Sequence, residues 1–389
     1  MAQRSGLLAN THTGASGQVL PTFVGRVRAL DAPETAALPA VWRDWDCRAT
    51  RLAWLGLRAD GFAESVAAAV QRHGATRVGL VLGTSASTIA ASEAAYRSLD
   101  AAGGFPPALR APALHSPHAV TAFTALALGL AGPAVTVSTA CSSSARAFGQ
   151  AERWLRLGLV DAVVVGGVDS LCDSVLYGFH ALGLVSPTPC QPFDAQRRGI
   201  SVGEAAGFVL LERAEVANGE RHPGPELWGY GEASDAHHMS SPHPEGLGAE
   251  LALDDALARA GVGAPGVEFV HLHGTATVLN DAVEAALVAR RYSEHVHACA
   301  TKGLTGHTMG AAGVIGAVVC LMALKTGLRA GTAQLIAPDA ALGERFARQL
   351  QARPRQQPVQ LAACHAFGFG GNNSVLVFGQ APGQTLVQA

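Results

Sequence analysis

The stretch "AVTVSTACSSSARAFGQ" (residues 134–150) places a cysteine between two kinds of structure. Its first half is small and β-branched, as in a buried strand, and its second half begins a helix with polar and apolar faces. Cys141 therefore lies at a helix N-terminus, where unpaired N–H groups and the helix dipole favour a thiolate and could hold an oxyanion. This segment alone leaves open the alternative that Cys141 is a small buried thiol without a chemical role.

The same alternation of apolar strands with helices runs through the chain, and continuous apolar strands of this kind form sheets covered on both faces. The predicted strands are 78–84, 134–140, 161–169, 207–213, 226–234, 268–275, 297–303, 361–368 and 373–379. The predicted helices are 60–73, 88–98, 117–130, 142–158, 249–261, 281–291, 308–327 and 342–352.

The pattern divides into two similar halves, residues 1–213 and 214–389. Each half contains a strand that enters a polar turn and then a helix: "VTVSTAC" in the first half and "ACATKGLTGH" in the second. The second half shows five strands and the first only four. Residues 1–60 offer only "PTFVGRVRAL" (21–30) as a weak strand, so the first half is expected to lack its first strand.

Composition excludes several classes of protein. Of the 389 residues, 49% are hydrophobic and only 15% are charged, and the net charge is −2. This balance favours a large buried surface, including a subunit interface, and gives no basic field for nucleic acid or anionic membranes. Seven scattered cysteines without a CxxC pair argue against a zinc site and fit a reducing cytoplasm. The most apolar stretch, 311–324, is too short and glycine-rich for a membrane span and is predicted to be a buried helix.

Three further segments carry candidate chemistry. In "HLHGTAT" (271–277), His273 adjoins a turn in which a side chain can meet a ligand, and Asn280 or Asp281 is expected to cap the helix that follows. In "TKGLTGHTMGAAG" (301–313), Lys302 is one of only two lysines in the chain, which indicates a need for a compact ammonium. His307 is expected to stay neutral because it precedes a helix N-terminus. Each feature also has an alternative without a chemical role. His273 could be a hydrogen-bonded core histidine, the polar groups after it could serve only as helix caps or turn residues, and Lys302 could be a surface lysine.

The fourth segment, "FGFGGNNS" (367–374), is rich in glycine, so its backbone can approach a ligand closely. Phe367 and Phe369 would form apolar walls or a gate, and a tight hairpin is the alternative. Together, one cysteine, two histidines and a lysine at element boundaries suit acyl transfer. A thiolate can take an acyl group, and two imidazoles can stabilise an enolate oxygen while CO₂ leaves.

With these motifs the chain resembles the β-ketoacyl-acyl carrier protein synthases, the elongating condensing enzymes with a thiolase fold. The motifs are "TAC" at Cys141, "HGTAT" at His273, "TKGLTGH" with Lys302 and His307, and "GFGG" at 368–371; "PFDAQRRGISVGEAAGFVLLER" (192–213) is also similar. The resemblance covers about residues 20–380. It implies an α/β fold of duplicated halves in α-β-α-β-α layers.

The resemblance implies decarboxylative condensation, in which Cys141 carries the acyl chain and His273 and His307 assist malonyl decarboxylation. Backbone N–H groups of Cys141 and Phe369 would form the oxyanion hole. Lys302 would orient His307 and pair with Glu284, one turn past Asp281. Thr275 and Thr277 would contact phosphopantetheine, and Phe369, Gly370 and Gly371 would border the acyl site. No metal or separate cofactor is implied, since the substrates are carried on the phosphopantetheine of acyl carrier protein.

The resemblance also implies partners: acyl carrier protein, and a second subunit in a homodimer or in a heterodimer with a chain-length-factor-like paralogue. The segment "DWDCRATRLAWLGL" (44–57) is similar to ketosynthases of aryl polyene clusters, so fatty acid, polyketide or aryl polyene synthesis is the expected setting. Gly316 stands where the family usually has glutamate, so a structural cation there is not expected. Asn372 replaces the usual hydroxyl. The missing strand is expected inside the first sheet, so that either an upstream segment, a partner or residues 1–60 would fill the gap.

Two other functions compete with condensation. A non-catalytic scaffold subunit would explain the missing strand and Gly316. A thiolase-like enzyme acting on coenzyme A esters would need a second catalytic cysteine; Cys364 lies near the right region, but its "CHAFGFGG" context fits condensing enzymes better.

Overall fold

A computed structural model describes residues 4–14, 17–32, 37–214 and 224–381. Its strands, numbered along the chain, are β1 (Leu7–Ala9), β2 (Phe23–Gly25), β3 (Val78–Gly83), β4 (Ala134–Val137), β5 (Ala162–Asp169), β6 (Val202–Gly203), β7 (Ala205–Glu212), β8 (Pro225–Ser234), β9 (Phe269–His271), β10 (His297–Cys299), β11 (Leu328–Arg329), β12 (Arg355–Gln356), β13 (Leu361–Gly368) and β14 (Asn372–Gln380).

The α-helices are Arg48–Leu57, Phe62–His73, Ile89–Arg97, Ala119–Ala127, Ser143–Arg156, Asp173–Ala181, Leu247–Ala260, Val278–Arg291, Lys302–Thr305, Ala312–Thr326 and Glu344–Gln349. Short 3-10 helices lie at Arg28–Asp31, Ala40–Trp45, Ala59–Gly61, Ala75–Arg77, Pro107–Leu109, Pro112–His115, Ala264–Gly266, Met309–Ala311, Ala340–Leu342 and Phe369–Gly371. Every strand and helix predicted from the sequence is present, although several are shorter than predicted.

Two sheets organise the chain. The first has the strand order β4-β3-β5-β7, and the second has the order β10-β9-β13-β14-β8. In the first sheet, β3 runs parallel to β4 and β5, and β7 is antiparallel to β5. In the second sheet, β9 runs parallel to β10 and β13, and β14 is antiparallel to β13. The four strands β4-β3-β5-β7 therefore repeat the arrangement β10-β9-β13-β14, as the duplicated pattern predicted.

Each sheet buries both faces, because alternate residues of a strand point to opposite sides. Val81 and Val163 pack on a central layer that contains helices Ser143–Arg156 and Ala312–Thr326. Leu80 and Val164 pack on the opposite layer, against helices that precede or follow β3. Helices Leu247–Ala260 and Val278–Arg291 cover the far face of the second sheet. The five layers α-β-α-β-α confirm the predicted fold class.

The two central helices cross at very short range. A Cβ atom added to Gly313 would lie 2.4 Å from the backbone nitrogen of Ala145, which only glycine permits. The hydroxyl of Ser144 accepts a hydrogen bond from the backbone N–H of Val314 at 2.9 Å. This crossing fixes the distance between the halves.

The first sheet has one strand fewer than the second, as expected, but the missing strand is an edge strand and not an interior one. The four strands β4, β3, β5 and β7 are hydrogen-bonded in sequence without a gap, and the strand with no counterpart is β8, which pairs only with β14 at the edge of the second sheet. β7 corresponds to β14, but no strand of the described residues pairs with the outer edge of β7 as β8 pairs with β14. An edge strand can be absent because its loss exposes the hydrogen-bonding groups of one strand rather than two.

The described residues before 60 do not fill this edge. β1 and β2 form a separate three-stranded sheet with β6, which confirms the weak strand within 21–30 but not the alternative that residues 1–60 complete the first sheet. Residues 48–57, given no helix in the sequence prediction, form a helix that packs on β7. The division into halves at 213/214 stays a prediction, and residues 215–223 lie outside the described part.

The segment Met309–Thr326 is the one described helical stretch that is long and apolar enough to cross a membrane. Most of it is buried inside the protein between the two sheets. Core helices of large domains have the same composition, so the prediction of a buried helix at 311–324 is confirmed.

Candidate active site

Cys141 lies at a strained turn between β4 and helix Ser143–Arg156. The preceding residue, Ala140, has a φ of 53°, a left-handed conformation that costs a non-glycine residue on the order of 1 kcal/mol. Within the turn, the Ser142 hydroxyl donates to the main-chain oxygen of Thr139. The Ser143 hydroxyl donates to the main-chain oxygen of Ala140 and accepts from the backbone N–H of Thr139. The turn thereby holds the sulfur at the helix N-terminus, as the sequence predicted.

The Cys141 thiol contacts His307 directly. The Cys141 Sγ and His307 Nε2 atoms are 2.9 Å apart, and both residues are buried. Burial raises the pKa of Cys141 to about 11, although Lys302 and the backbone N–H groups of Phe369 and Cys141 act in the opposite direction. The backbone N–H groups favour the thiolate, as expected of the helix terminus, but desolvation outweighs them and the net shift is upward. A protonated thiol needs a base to become a nucleophile.

His307 has the properties of that base. Burial, and secondly the charge of Lys302, hold the pKa of His307 well below its usual value. The predicted neutrality of the imidazole is thus confirmed, but its cause is desolvation rather than the helix N-terminus. A second imidazole, His273, faces His307 with ring centres 5.4 Å apart and planes nearly perpendicular. The pKa of His273 is also lowered well below its usual value by burial and by Lys302.

Lys302 contacts His273 rather than His307. Its Nζ donates to the main-chain oxygen of His273 and lies 3.4 Å from the Nδ1 atom of the same residue. No direct ion pair joins Lys302 to Glu284 in the part of the chain that the structure describes, so the predicted orientation of His307 and pairing with Glu284 are both wrong. Burial lowers the pKa of Lys302, and the negative charge of Glu284 acts in the opposite direction without a direct contact.

Glu284 instead holds the main chain of the His273 loop. Its carboxylate accepts hydrogen bonds from the backbone N–H groups of His273 at 2.7 Å and Gly274 at 2.8 Å. Two residues that sequence reasoning missed complete this buried array: Nδ1 of His365 lies 3.1 Å from the carboxylate, and the hydroxyl of Tyr292 lies 2.8 Å from Nε2 of His365.

The loop 275–277 lies at the N-terminus of helix Val278–Arg291. The hydroxyls of Thr275 and Thr277 are 2.9 Å apart and both threonines line the cavity. Asp281 accepts from the backbone N–H groups of Ala276 and Phe193, and burial raises its pKa to about 7. Neither Asn280 nor Asp281 caps the helix, because the helix begins at Val278 with Thr277 before it.

The glycine loop approaches the nucleophile from the second half. A Cβ atom on Gly368 would lie 2.9 Å from the Thr139 oxygen and 3.1 Å from the Cys141 nitrogen, so the loop needs glycine here. Phe369 and Gly371 line the cavity, and Phe369 packs edge-on against Phe179, a residue the sequence did not single out. Gly370 instead donates its backbone N–H to Met239 and is not among the lining residues. Asn372 donates within the loop, to the oxygen of Phe369.

A buried carboxylate that the sequence did not reveal supports the His307 segment. Asp169, at the end of β5, accepts from the backbone N–H of Gly310 at 2.6 Å and from the hydroxyl of Thr84 at 2.6 Å. It also accepts from the backbone N–H groups of Ser85 and Ala86. These partners lie far away in sequence, so no local motif could have indicated them.

A cavity of about 430 Å³ leads to Cys141, His273 and His307. Its walls are largely apolar, and both the threonine loop and the glycine loop contribute to its lining. Arg198 is the only lysine or arginine in this lining; it is exposed, and no carboxylate of the described residues pairs with it. The cavity suits an apolar chain attached to an anionic group.

Gly316 leaves no room for a glutamate. A Cβ atom there would lie 2.5 Å from the Sγ of Cys364 and 2.7 Å from the Nδ1 of His271. Among the described residues, no group of three or more histidine, cysteine or acidic side chains is arranged to hold a metal ion.

Comparison with known proteins agrees with this arrangement. The family model for the beta-ketoacyl synthase N-terminal domain matches residues 49–217, and the model for the C-terminal domain matches residues 225–335. Nodulation protein E of Rhizobium meliloti (strain 1021) is 33% identical over 311 residues, which are 79% of this chain and 76% of that protein. The mitochondrial 3-oxoacyl-[acyl-carrier-protein] synthase of Arabidopsis thaliana is 34% identical over 266 residues, 64% of this chain and 57% of that protein.

A solved structure is also similar. It is one chain of a complex between a ketosynthase and its chain length factor from Xenorhabdus doucetiae, and it is 33% identical with a TM-score of 0.81. The match covers 97% of this chain and 90% of the other. The protein belongs to the β-ketoacyl synthase family. It is a carbon–carbon condensing acyltransferase, and the alternative of a non-catalytic scaffold is not favoured.

Proposed function

We propose that Cys141, His273, Lys302 and His307 form the reaction centre of a decarboxylating ketosynthase. The observation that carries this proposal is the 2.9 Å contact between Cys141 Sγ and His307 Nε2, with the His273 ring beside it in the lining of the cavity. A protonated thiol, a neutral base and a second neutral imidazole are the groups that acyl transfer and decarboxylation require.

In the first step, His307 takes the thiol proton as the Cys141 sulfur attacks the thioester carbonyl of the incoming acyl group. The backbone N–H groups of Cys141 and Phe369 both approach the sulfur and would stabilise the oxyanion. The tetrahedral intermediate breaks its bond to the pantetheine sulfur, which leaves as a thiol with the proton from His307. The acyl chain remains on Cys141, in the apolar part of the cavity beside Phe369 and Phe179.

In the second step, a malonyl thioester enters and loses CO₂. The electron pair of the broken C–C bond forms an enolate, whose oxygen would lie between the His273 and His307 imidazoles. Lys302 fixes the His273 main chain. Burial, and secondly the charge of Lys302, lower the pKa of both imidazoles and keep them neutral, so each carries one N–H to donate. The enolate carbon attacks the Cys141 thioester, a C–C bond forms and the C–S bond breaks. The Cys141 sulfur leaves as a thiolate and takes a proton from solvent, and a β-ketoacyl product two carbons longer leaves.

The carrier of both substrates is proposed to be acyl carrier protein, whose phosphopantetheine arm would pass Thr275 and Thr277. Arg198 lies in the lining of the same cavity and suits the phosphate of that arm. A second subunit is also proposed: another copy of the chain, or a chain-length-factor-like paralogue such as the one in the similar Xenorhabdus doucetiae complex. Three further points stay predictions: a setting in fatty acid, polyketide or aryl polyene synthesis, a cytoplasmic location, and the absence of a metal or separate cofactor.

Intact-mass measurement of acyl loading tests this function. The wild-type protein, incubated with an acylated carrier protein, should gain the mass of one acyl group, and Cys141→Ala should gain none. Cys47→Ser is the matched control, since Cys47 lies outside the cavity, and it should load as the wild type does. Loading of Cys141→Ala would refute the nucleophile, and a folded wild type that never loads would refute the function.

A further inference from the structure

Glu284, His365 and Tyr292 form a continuous buried array behind His273. The side chains of Glu284 and His365 are fully buried, and Tyr292 is 1% exposed. The array ties together two elements: Glu284 lies in helix Val278–Arg291 and Tyr292 caps its C-terminus, while His365 lies on β13, the strand that enters the glycine loop. None of the steps proposed above uses His365 or Tyr292.

The direction of the hydrogen bonds follows from the chemistry of the groups. The Glu284 carboxylate can only accept, so Nδ1 of His365 must carry a hydrogen that it donates across the 3.1 Å contact. Nε2 of the same ring lies 2.8 Å from the Tyr292 hydroxyl, which can donate to it when Nδ1 carries the ring's hydrogen. The tyrosine therefore selects the tautomer in which His365 can donate to Glu284.

The same Glu284 oxygen that receives the His365 hydrogen bond also receives the backbone N–H of His273. The second oxygen receives the N–H of Gly274. The side-chain amide of Asn280 adds a longer contact of 3.4 Å to this second oxygen. Among the described residues, His365 is the side-chain donor on the oxygen that holds the His273 N–H, so its loss would loosen that oxygen and the His273 main chain. Packing adds a second connection, because the Phe367 ring lies 5.2 Å from the ring of His365 and 6.0 Å from that of His273.

We propose that His365 and Tyr292 are positioning residues for decarboxylation. Through Glu284 they hold the His273 imidazole where the enolate oxygen forms. This inference rests on the proposed function. It separates the two halves of the reaction, since the array supports His273 and makes no contact with Cys141 or His307.

The test measures the two half-reactions separately in the full-length protein. His365→Leu removes the donor to Glu284, and His365→Asn keeps an N–H donor at nearly the position of Nδ1. Tyr292→Phe removes only the hydroxyl. Each variant is assayed for acyl loading of Cys141 by intact mass and for decarboxylation of malonyl carrier protein, with kcat and KM.

For His365→Leu, we expect decarboxylation kcat to fall about 100-fold, the loss that a misplacement of about 1 Å produces. The KM for malonyl carrier protein and the rate of acyl loading should remain within about twofold of wild type, since substrate binding and the Cys141–His307 pair are unaffected. Tyr292→Phe should lower decarboxylation about three- to tenfold, and His365→Asn should restore most of the loss.

Two results would overturn the inference: wild-type decarboxylation in His365→Leu, or equal losses of loading and decarboxylation in folded His365→Leu and Tyr292→Phe. If His365→Leu does not fold, the variants Tyr292→Phe and His365→Asn test the inference instead. Decarboxylation by Tyr292→Phe at the wild-type rate would then overturn it. A wild type that neither loads nor decarboxylates is a different result, which refutes the proposed function itself.

Discussion

The protonation of Cys141 gives a quantitative test of the site. With a pKa of about 11, about 0.03% of the thiol is ionised at pH 7.5, compared with about 9% for an ordinary cysteine of pKa 8.5. Burial therefore lowers the concentration of free thiolate about 300-fold. A base that takes the proton during attack removes this penalty, and His307, 2.9 Å from the sulfur, is in position to do so.

We predict that His307→Gln slows acyl loading about 100- to 1,000-fold at pH 7.5, within the range that general-base catalysis contributes. Its remaining rate should increase about tenfold per pH unit between pH 7 and 9, because it depends on thiolate formed below a pKa of about 11. The wild-type rate should be nearly constant over this range, since the pKa of His307 lies well below it.

The measurement is rapid-quench acyl loading followed by intact mass at pH 7, 8 and 9. Cys141→Ala measures the background from the six other cysteines. Glutamine is close to histidine in volume, so the variant changes the base and not the packing. Wild-type loading by His307→Gln, with a flat pH profile, would refute the assignment and show that the thiolate exists before substrate binds.

Three further predictions concern residues around the reaction centre. Arg198→Ala should raise KM for acyl carrier protein substrates roughly two- to fivefold, as expected for an exposed charge contact, and should leave KM for N-acetylcysteamine thioesters, which lack the phosphate, unchanged; an equal rise for both would contradict the phosphate contact. Asp169→Asn should lower the free energy of unfolding by about 2–4 kcal/mol, because the amide leaves buried N–H groups unpaired, and an unchanged denaturant midpoint would contradict this. Gly316→Glu should destabilise the protein by about 3 kcal/mol or more through overpacking against Cys364 and His271 and burial of a charge, with Gly316→Ala less affected; a wild-type melting temperature for Gly316→Glu would show that the site has more room than the structure indicates.

Sequence patterns predicted the features that depend on short segments. Buried strands such as β5 are continuous apolar runs, and Cys141, His273, Lys302 and His307 each adjoin the end of such a strand or the helix after it. Parallel strands bring their ends to the same side of a sheet, so His273 and Lys302, after β9 and β10 of the second sheet, could be expected to lie together. Cys141 follows β4 of the first sheet and meets them through the packing of the two halves.

What the sequence could not predict depends on contacts between distant segments. The pKa of Cys141 is governed by burial, which exists only after the glycine loop closes on it. The family resemblance implied that Lys302 would orient His307 and pair with Glu284, but the fold turns its ammonium toward His273. His365 and Asp169 resemble a lone strand histidine and a strand-terminal acid, and their hydrogen-bond partners lie more than 70 residues away.

The crossing of the two central helices at Gly313 has a chemical consequence. β4 and β10 occupy corresponding places in the repeated unit, yet β4 leads to a nucleophile and β10 leads to a cation and a base. The two sheets with matching strand order thus carry complementary parts of the proposed reaction centre, and neither carries all of it. The distance from sulfur to imidazole is set by how closely the two sheets approach, so a methyl group at Gly313 would act on the chemistry as directly as a change to a catalytic side chain.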